Sequence, residues 1–310
     1  MAAPGPGRLG LGGAALGNLY DAVPESAAEE TVDAAWERGI RLFDTAPLYG
    51  HGLSESRLGR ALTAFPRDET IISTKVGRIL VPDTDGAVDD TIFADVPPVR
   101  PEFDFSAAGV EASLTASMER LRTDRFDVVH VHDPDDHLDI AVSETYPALA
   151  RWRDDGVVGA IGLGTNLASV ADYVLDAVAA GTVSLDWLLL AGRYTLLDRS
   201  GADVLDRCAD LGVQVIAAGV FNSGLLADPS DDAHFHYAPA PADIVAEARR
   251  LADVCTRHEV PLAAAALQFA ARHPAVTTVL PGARSATEID EDVDLFERDL
   301  PEELWTDLGI

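Results

Sequence analysis

The chain has 310 residues, 47% of them hydrophobic, and a formal net charge of −29. That charge argues against nucleic acid and anionic membranes as partners, both of which need basic surfaces, and no run of 18 or more uncharged apolar residues suggests a membrane span. No apolar opening run with a basic flank marks a secretory signal, and Cys208 and Cys255 lack metal-site or redox spacing, so a cytoplasmic protein with two buried thiols is expected.

Apolar runs alternate with helical periods along the chain. Strands are expected within 8–17 (RLGLGGAALG), 40–46 (IRLFDTA), 70–76 (TIISTKV) and 126–133 (FDVVHVHD). Four more are expected within 157–165 (VVGAIGLGT), 184–192 (SLDWLLLAG), 213–220 (VQVIAAGV) and 277–283 (TTVLPGA). Helical segments separate them. The first, SAAEETVDAAWERG, has Ser26 and Glu29 in capping-box spacing and ends at Gly39. The seventh connection holds two helical segments split at Pro261. Eight strands alternating with helices predict a single-domain (β/α)8 barrel over residues 1–310, of the TIM type. Strands buried on both faces read as near-continuous apolar runs, as most of these do. Residues 79–105 break the short-loop pattern; they are rich in Pro and Asp but carry Phe93, Phe103 and Phe105, which favours an ordered pocket wall.

In such a barrel the C-terminal ends of the strands converge on one mouth. Asp44 ends the second strand, Tyr49 follows it, Lys75 ends the third and His132 ends the fourth. An acid, a phenol, an amine and an imidazole therefore meet at one face. A free phenol near pKa ~10 is a poor proton carrier at neutral pH. A nearby ammonium favours the phenolate, burial opposes it, and a carboxylate keeps the ammonium charged. The group suits proton transfer at a carbonyl or carbinol oxygen. Hydride must come from a bound nicotinamide, because no side chain supplies it. Lys75 is the sole lysine in the chain, against 22 arginines. His130, two residues before His132, faces the same way and ranks second because it lies deeper in the strand.

These motifs resemble the aldo-keto reductase family: LFDTAPLYGHGLSESRLGRAL carries Asp44 and Tyr49, STK carries Lys75, and FDVVHVHDPD carries His132. The resemblance implies an NAD(P)-dependent oxidoreductase acting on a sugar or aldehyde, with Tyr49 as general acid/base. It also implies that Thr165 and Asn166 hold the nicotinamide carboxamide. Phe221, Ser223 and Leu225 would lie over the pyrophosphate, and Gly282, Arg284, Glu288 and Asp292 near the adenosine. Ala191 departs from the family, many of whose members have Gln there. Glu288 and Asp292 stand where many have neutral amides, which tilts the expectation toward NAD over NADP. The 79–105 loop and the segments after the sixth and seventh strands resemble the branch that oxidises sugars or pyridoxal. A non-catalytic, cofactor-binding regulatory subunit on the same scaffold is the alternative outside enzymes.

Two other readings carry less. Residues 10–15 fit G-x-G-x-x-A, but that motif needs a helix at the second glycine, and Pro24 and Ser26 place the first helix more than ten residues later. HVHDPDDH clusters potential ligands from His130 to His137, yet no second element supplies a third ligand, so no metal is expected. His234 to His236 are expected to be solvated.

Overall fold

The structure is a computed structural model and describes residues 7–84, 92–236 and 238–310. Among these, eight parallel strands line up in the order β1 (Leu11–Gly12), β2 (Leu42–Asp44), β3 (Ile71–Val76), β6 (Phe126–His132), β7 (Val158–Thr165), β8 (Trp187–Ala191), β9 (Gln214–Ala218) and β12 (Val276–Leu280). Parallel bridges from Leu9 to Val279 and from Gly12 to Gly282 bring the first strand back to the last. The chain is thus a (β/α)8 barrel, and seven of these strands fall within the stretches expected for them, while β12 starts one residue earlier, at Val276. The strand in 8–17 is only two residues long, because Gly13 turns the chain away: a Cβ there would lie 2.6 Å from the Asp44 carbonyl oxygen.

Inward positions change character along the barrel axis. Leu42, Ile71, Val128, Trp187, Leu189, Ile216 and Leu280 form one buried apolar cluster contributed by six of the barrel strands and plug the N-terminal end. Two or four residues further along the same strands stand Asp44, Ser73, Lys75, His130 and His132. Period-two alternation therefore carries β2, β3 and β6 from an apolar floor to a polar mouth.

Three local expectations change. The first helix is Glu25–Glu37, begun by Pro24, with no side-chain cap; Ser26 lies inside it. The Pro24 carbonyl accepts from Ala28, so the helix begins before Ser26, which is not the N-cap, and the Ser26–Glu29 capping box does not form. Within 79–105 the chain folds back as an antiparallel pair, β4 (Arg78–Pro82) with β5 (Val99–Phe103). Phe93 and Phe105 are buried and Phe103 is exposed, while residues 85–91 lie outside those described. The 234–236 histidines are not freely solvated: β10 (His234–Phe235) pairs with β11 (Ala238–Pro239), His234 stacks on Tyr20 at 5.2 Å, and His236 Nε2 is 3.0 Å from Arg193 Nη1. The helices Ala242–Arg257 and Leu262–Ala270 meet at Pro261 as expected. Both cysteines are buried and free. No described helix is long and apolar enough to cross a membrane.

Candidate active site

Asp44 is the last residue of β2 and Lys75 the last but one of β3, and each is 1% exposed. The Lys75 ammonium donates to Asp44 Oδ2 at 2.5 Å and to the Thr45 carbonyl at 2.9 Å, and Ser73 Oγ donates to the other Asp44 oxygen at 2.7 Å. Such a pair survives burial only when the remaining lone pairs and protons find partners, as here. Glycines on β7 make the room. A Cβ on Gly164 would touch Lys75 Cε at 3.5 Å, and one on Gly162 would sit 2.1 Å from His130 Nδ1.

Tyr49 rides on the turn after β2, partly exposed at the mouth. Its ring centroid lies 4.7 Å from Lys75 Nζ, and its ring meets His132 edge-on at 5.8 Å. The long motif after Tyr49 holds this turn rather than doing chemistry. Ser54 Oγ donates to the Gly13 carbonyl and accepts from the Thr45 hydroxyl. Glu55, fully buried, accepts from Thr74 at 2.7 Å and from Arg120 at 2.6 Å. Arg57 donates to Leu16 O, Asn18 Oδ1, Val23 O and Glu25. His51 Nδ1 bonds the Val99 carbonyl at 2.7 Å and ties the turn to the β4–β5 pair. Gly50 (φ +59°) packs so closely on Gly17 that a Cβ would lie 2.3 Å from its carbonyl oxygen.

Of the two opposing effects expected on the phenol, burial outweighs the ammonium. The Tyr49 hydroxyl is held well above its ordinary value, first by burial, then by the negative charges of Asp44 and Asp133, with Arg78 opposing. Asp44 balances the ammonium at 2.5 Å, so the phenol sees a neutral pair and burial dominates. His132 is pushed well below the usual histidine range by burial and then by the positive charges of Arg78 and Lys75, so its imidazole is neutral at pH 7. His130 is lowered to about 3, by burial first and then by Lys75.

The residues expected near a coenzyme divide. Thr165 ends β7, and its hydroxyl accepts from the Leu167 N–H, while the Asn166 carbonyl accepts from Arg193 Nε at 2.5 Å. Leu225 is fully buried in a small cluster with Val245 and Ala248, and Phe221 packs on two core clusters, so these two side chains belong to the interior. Ser223 is partly buried in a left-handed conformation. Gly282 lies exposed at the mouth, and Asp292 is 9% exposed, with burial and then Glu288 raising its carboxyl to about 7. Arg284, half exposed, is gripped by Glu288 at 3.3 Å and by Asp21 at 3.2 Å.

Sequence reasoning passed over Arg78, Asp21 and Asn222 here, and weighed Asp133 only as a potential metal ligand. Asn222 is 2% exposed, and both polar atoms of its amide lack a partner among the described residues, in a loop where Gly219, Asn222, Ser223 and Gly224 all have positive φ. A buried, unsatisfied amide costs about 1–3 kcal/mol unless something bonds it. A ligand bearing amide or phosphate oxygens beside β9 fits that requirement, so these residues suit a dinucleotide. An Asn inside the otherwise apolar GVFNSGLL was the available signal.

Residues 8–309 match the model of the aldo/keto reductase family. The chain is 41% identical to a D-threo-aldose 1-dehydrogenase from Pseudomonas sp, over 97% of this chain and 92% of that protein. It is 38% identical to a pyridoxal 4-dehydrogenase from Microbacterium luteolum, with the same coverage. An aldo-keto reductase from Bacillus halodurans, solved in its holo form, superposes with a TM-score of 0.75 at 25% identity, over 100% of this chain and 95% of that one. With a barrel of this topology and a match along nearly its whole length, the chain belongs to the aldo/keto reductase family and is an NAD(P)-dependent oxidoreductase.

Proposed function

We propose that the chain oxidises an aldose at its hemiacetal carbon, with Tyr49 as the proton-transferring group. The observation that carries this is the sealed Lys75–Asp44 pair beneath the Tyr49 ring, with His132 set edge-on beside it. A bound nicotinamide would supply the hydride acceptor. His132, neutral, is suited to donate a hydrogen bond to the reacting oxygen and orient it. The phenol is protonated at neutral pH, ready to donate to a carbonyl oxygen. In the oxidative direction it must first lose that proton, so the oxidation rate climbs with pH into the alkaline range. Lys75 and Asp44 fix the ring from below. The 41% identity to an aldose dehydrogenase favours a sugar over pyridoxal, whose dehydrogenase stands at 38%.

Thr165, Asn166, Asn222 and Ser223 would hold the coenzyme from the ends of β7 and β9, with Arg284 and Glu288 at its adenosine end. Arg284 already faces two carboxylates, which would repel a 2′-phosphate and accept from a 2′-hydroxyl. NAD is therefore the preferred coenzyme. The test is absorbance at 340 nm with sugars, pyridoxal and simple aldehydes, in both directions and with both coenzymes. Turnover of pyridoxal or plain aldehydes without any aldose would replace the sugar reading. No turnover of any of them would leave the regulatory-subunit reading.

A further inference from the structure

Two charged groups at the mouth have no part in the scheme above. Asp133 directly follows His132 and adopts φ +43°, a left-handed conformation that costs energy outside glycine. Its N–H donates to the Gly164 carbonyl at 2.9 Å, which fixes the residue at the end of β6. Arg78 opens β4. It donates to the His132 carbonyl at 3.2 Å and to Asp133 Oδ2 at 3.3 Å, and its guanidinium lies 4.7 Å from the Phe103 ring centre. The side chains of Arg78 and Asp133 are 11% and 24% exposed.

The same Asp133 oxygen lies 3.4 Å from His132 Nε2 without hydrogen-bond alignment between them. Both contacts to this carboxylate are longer than the roughly 2.7–2.9 Å of a strong charge-assisted bond. Burial raises the Asp133 carboxyl against the pull of Arg78, as it does for a carboxylate with too few close donors. The carboxylate is acceptor-only, and a neutral imidazole N–H donates. Side by side and not bonded to each other, the two atoms complement a vicinal pair of oxygens. One accepts from His132, and its neighbour, a hydroxyl, donates to Asp133.

We propose that Asp133, held by Arg78, is a specificity-determining residue that accepts a hydrogen bond from the hydroxyl on the carbon next to the reacting one. The preferred substrates are then α-hydroxy carbonyl compounds and their cyclic hemiacetals. The proposal rests on the reading of Tyr49 and His132 as the groups that hold the reacting oxygen. It does not require that the substrate be a sugar.

The test measures kcat/KM for pairs that differ only in that hydroxyl, in the native enzyme, Asp133→Asn and Asp133→Ala. One pair is an aldopyranose and its 2-deoxy analogue, oxidised with NAD. The other is glycolaldehyde and acetaldehyde, reduced with NADH. The native enzyme should favour the hydroxylated member by about 10- to 100-fold, the range for a hydrogen bond to a charged group. Asp133→Ala should bring the ratio to within about threefold, mainly by slowing the hydroxylated member. Asp133→Asn keeps the shape and tolerates the left-handed backbone, so it should fall between and separates lost recognition from lost folding. A native ratio below about three, or an unchanged ratio in Asp133→Ala, overturns the proposal. Turnover of the aldehyde pair alone defeats the sugar reading and still decides this one. Failure to turn over either hydroxylated compound defeats both.

Discussion

The Lys75–Asp44 pair allows the clearest quantitative test, because each partner is 1% exposed and the two charged groups meet at 2.5 Å. Lys75→Met keeps an unbranched side chain one atom shorter and removes its charge. Asp44 would then sit in the barrel interior with the Ser73 hydroxyl as its remaining side-chain donor. Breaking a buried ion pair on one side costs about 3–5 kcal/mol. With an unfolding entropy near 2.1 cal/mol/K per residue, 310 residues give roughly 0.65 kcal/mol/K, so the melting temperature should fall by about 5–8 °C. Asp44→Asn should cost a similar amount by leaving the ammonium unpaired. The double variant should cost less than the sum of the two, with a coupling of roughly 1–3 kcal/mol. Thermal denaturation followed by circular dichroism at one scan rate reads all four proteins. A fall under about 2 °C for Lys75→Met, or additivity within about 0.5 kcal/mol, would refute the argument that the pair is held dry and coupled.

Tyr49→Phe should lower kcat by about 10²-fold or more while leaving NADH binding, read by fluorescence titration, nearly intact; a variant that keeps over half its activity removes Tyr49 from the proton-transfer role. His130 is buried neutral, with its imidazole lowered to about 3 from an ordinary 6.5. Between those values the unfolded chain binds a proton that the folded chain does not, so stability is present above pH 6.5 and is lost as pH falls toward 3, at about 1.4 kcal/mol per pH unit. His130→Gln should flatten the slope of urea-derived stability between pH 6.5 and 4.5 by about that amount, and an unchanged slope contradicts the assignment. Glu288→Gln should improve kcat/KM with NADP relative to NAD by about tenfold, the equivalent of roughly 1.4 kcal/mol for one like-charge contact relieved. A strong NADP preference in the native enzyme would defeat the coenzyme reading.

Some of the site was legible residue by residue. Asp44, Lys75 and His132 sit at or next to the ends of apolar runs, and a parallel barrel brings every such end to one mouth whatever the helices do. Thr165, which the family resemblance supplied, also ends a strand, β7. What the pattern could not carry was direction. Phe221 and Leu225 were expected to face a coenzyme, yet their side chains pack into the core, and the buried polar atoms of that loop belong to Asn222 between them. Loop residues have no period to say which way they face, and left-handed turns at Asn222 and Ser223 reverse it from one residue to the next. The 79–105 stretch read as a loop because its strands contain Pro82 and Pro101, which weaken a strand signal; the antiparallel pairing of β4 with β5 supplied the order.

Sequence alone determined the barrel, its single chain of eight strand–helix units, and the meeting of an acid, a phenol, an amine and an imidazole at its mouth. Those follow from local periodicity and strand order, which are short-range properties of the chain. Only the tertiary structure decided the state of those groups. Asp44 faces Lys75 at 2.5 Å and balances its charge, so burial rather than the ammonium governs Tyr49. Arg78 reaches across from β4 to draw Asp133 beside His132. Charge interaction depends on distance and on the water excluded between groups, and both are set by packing between residues far apart in the chain.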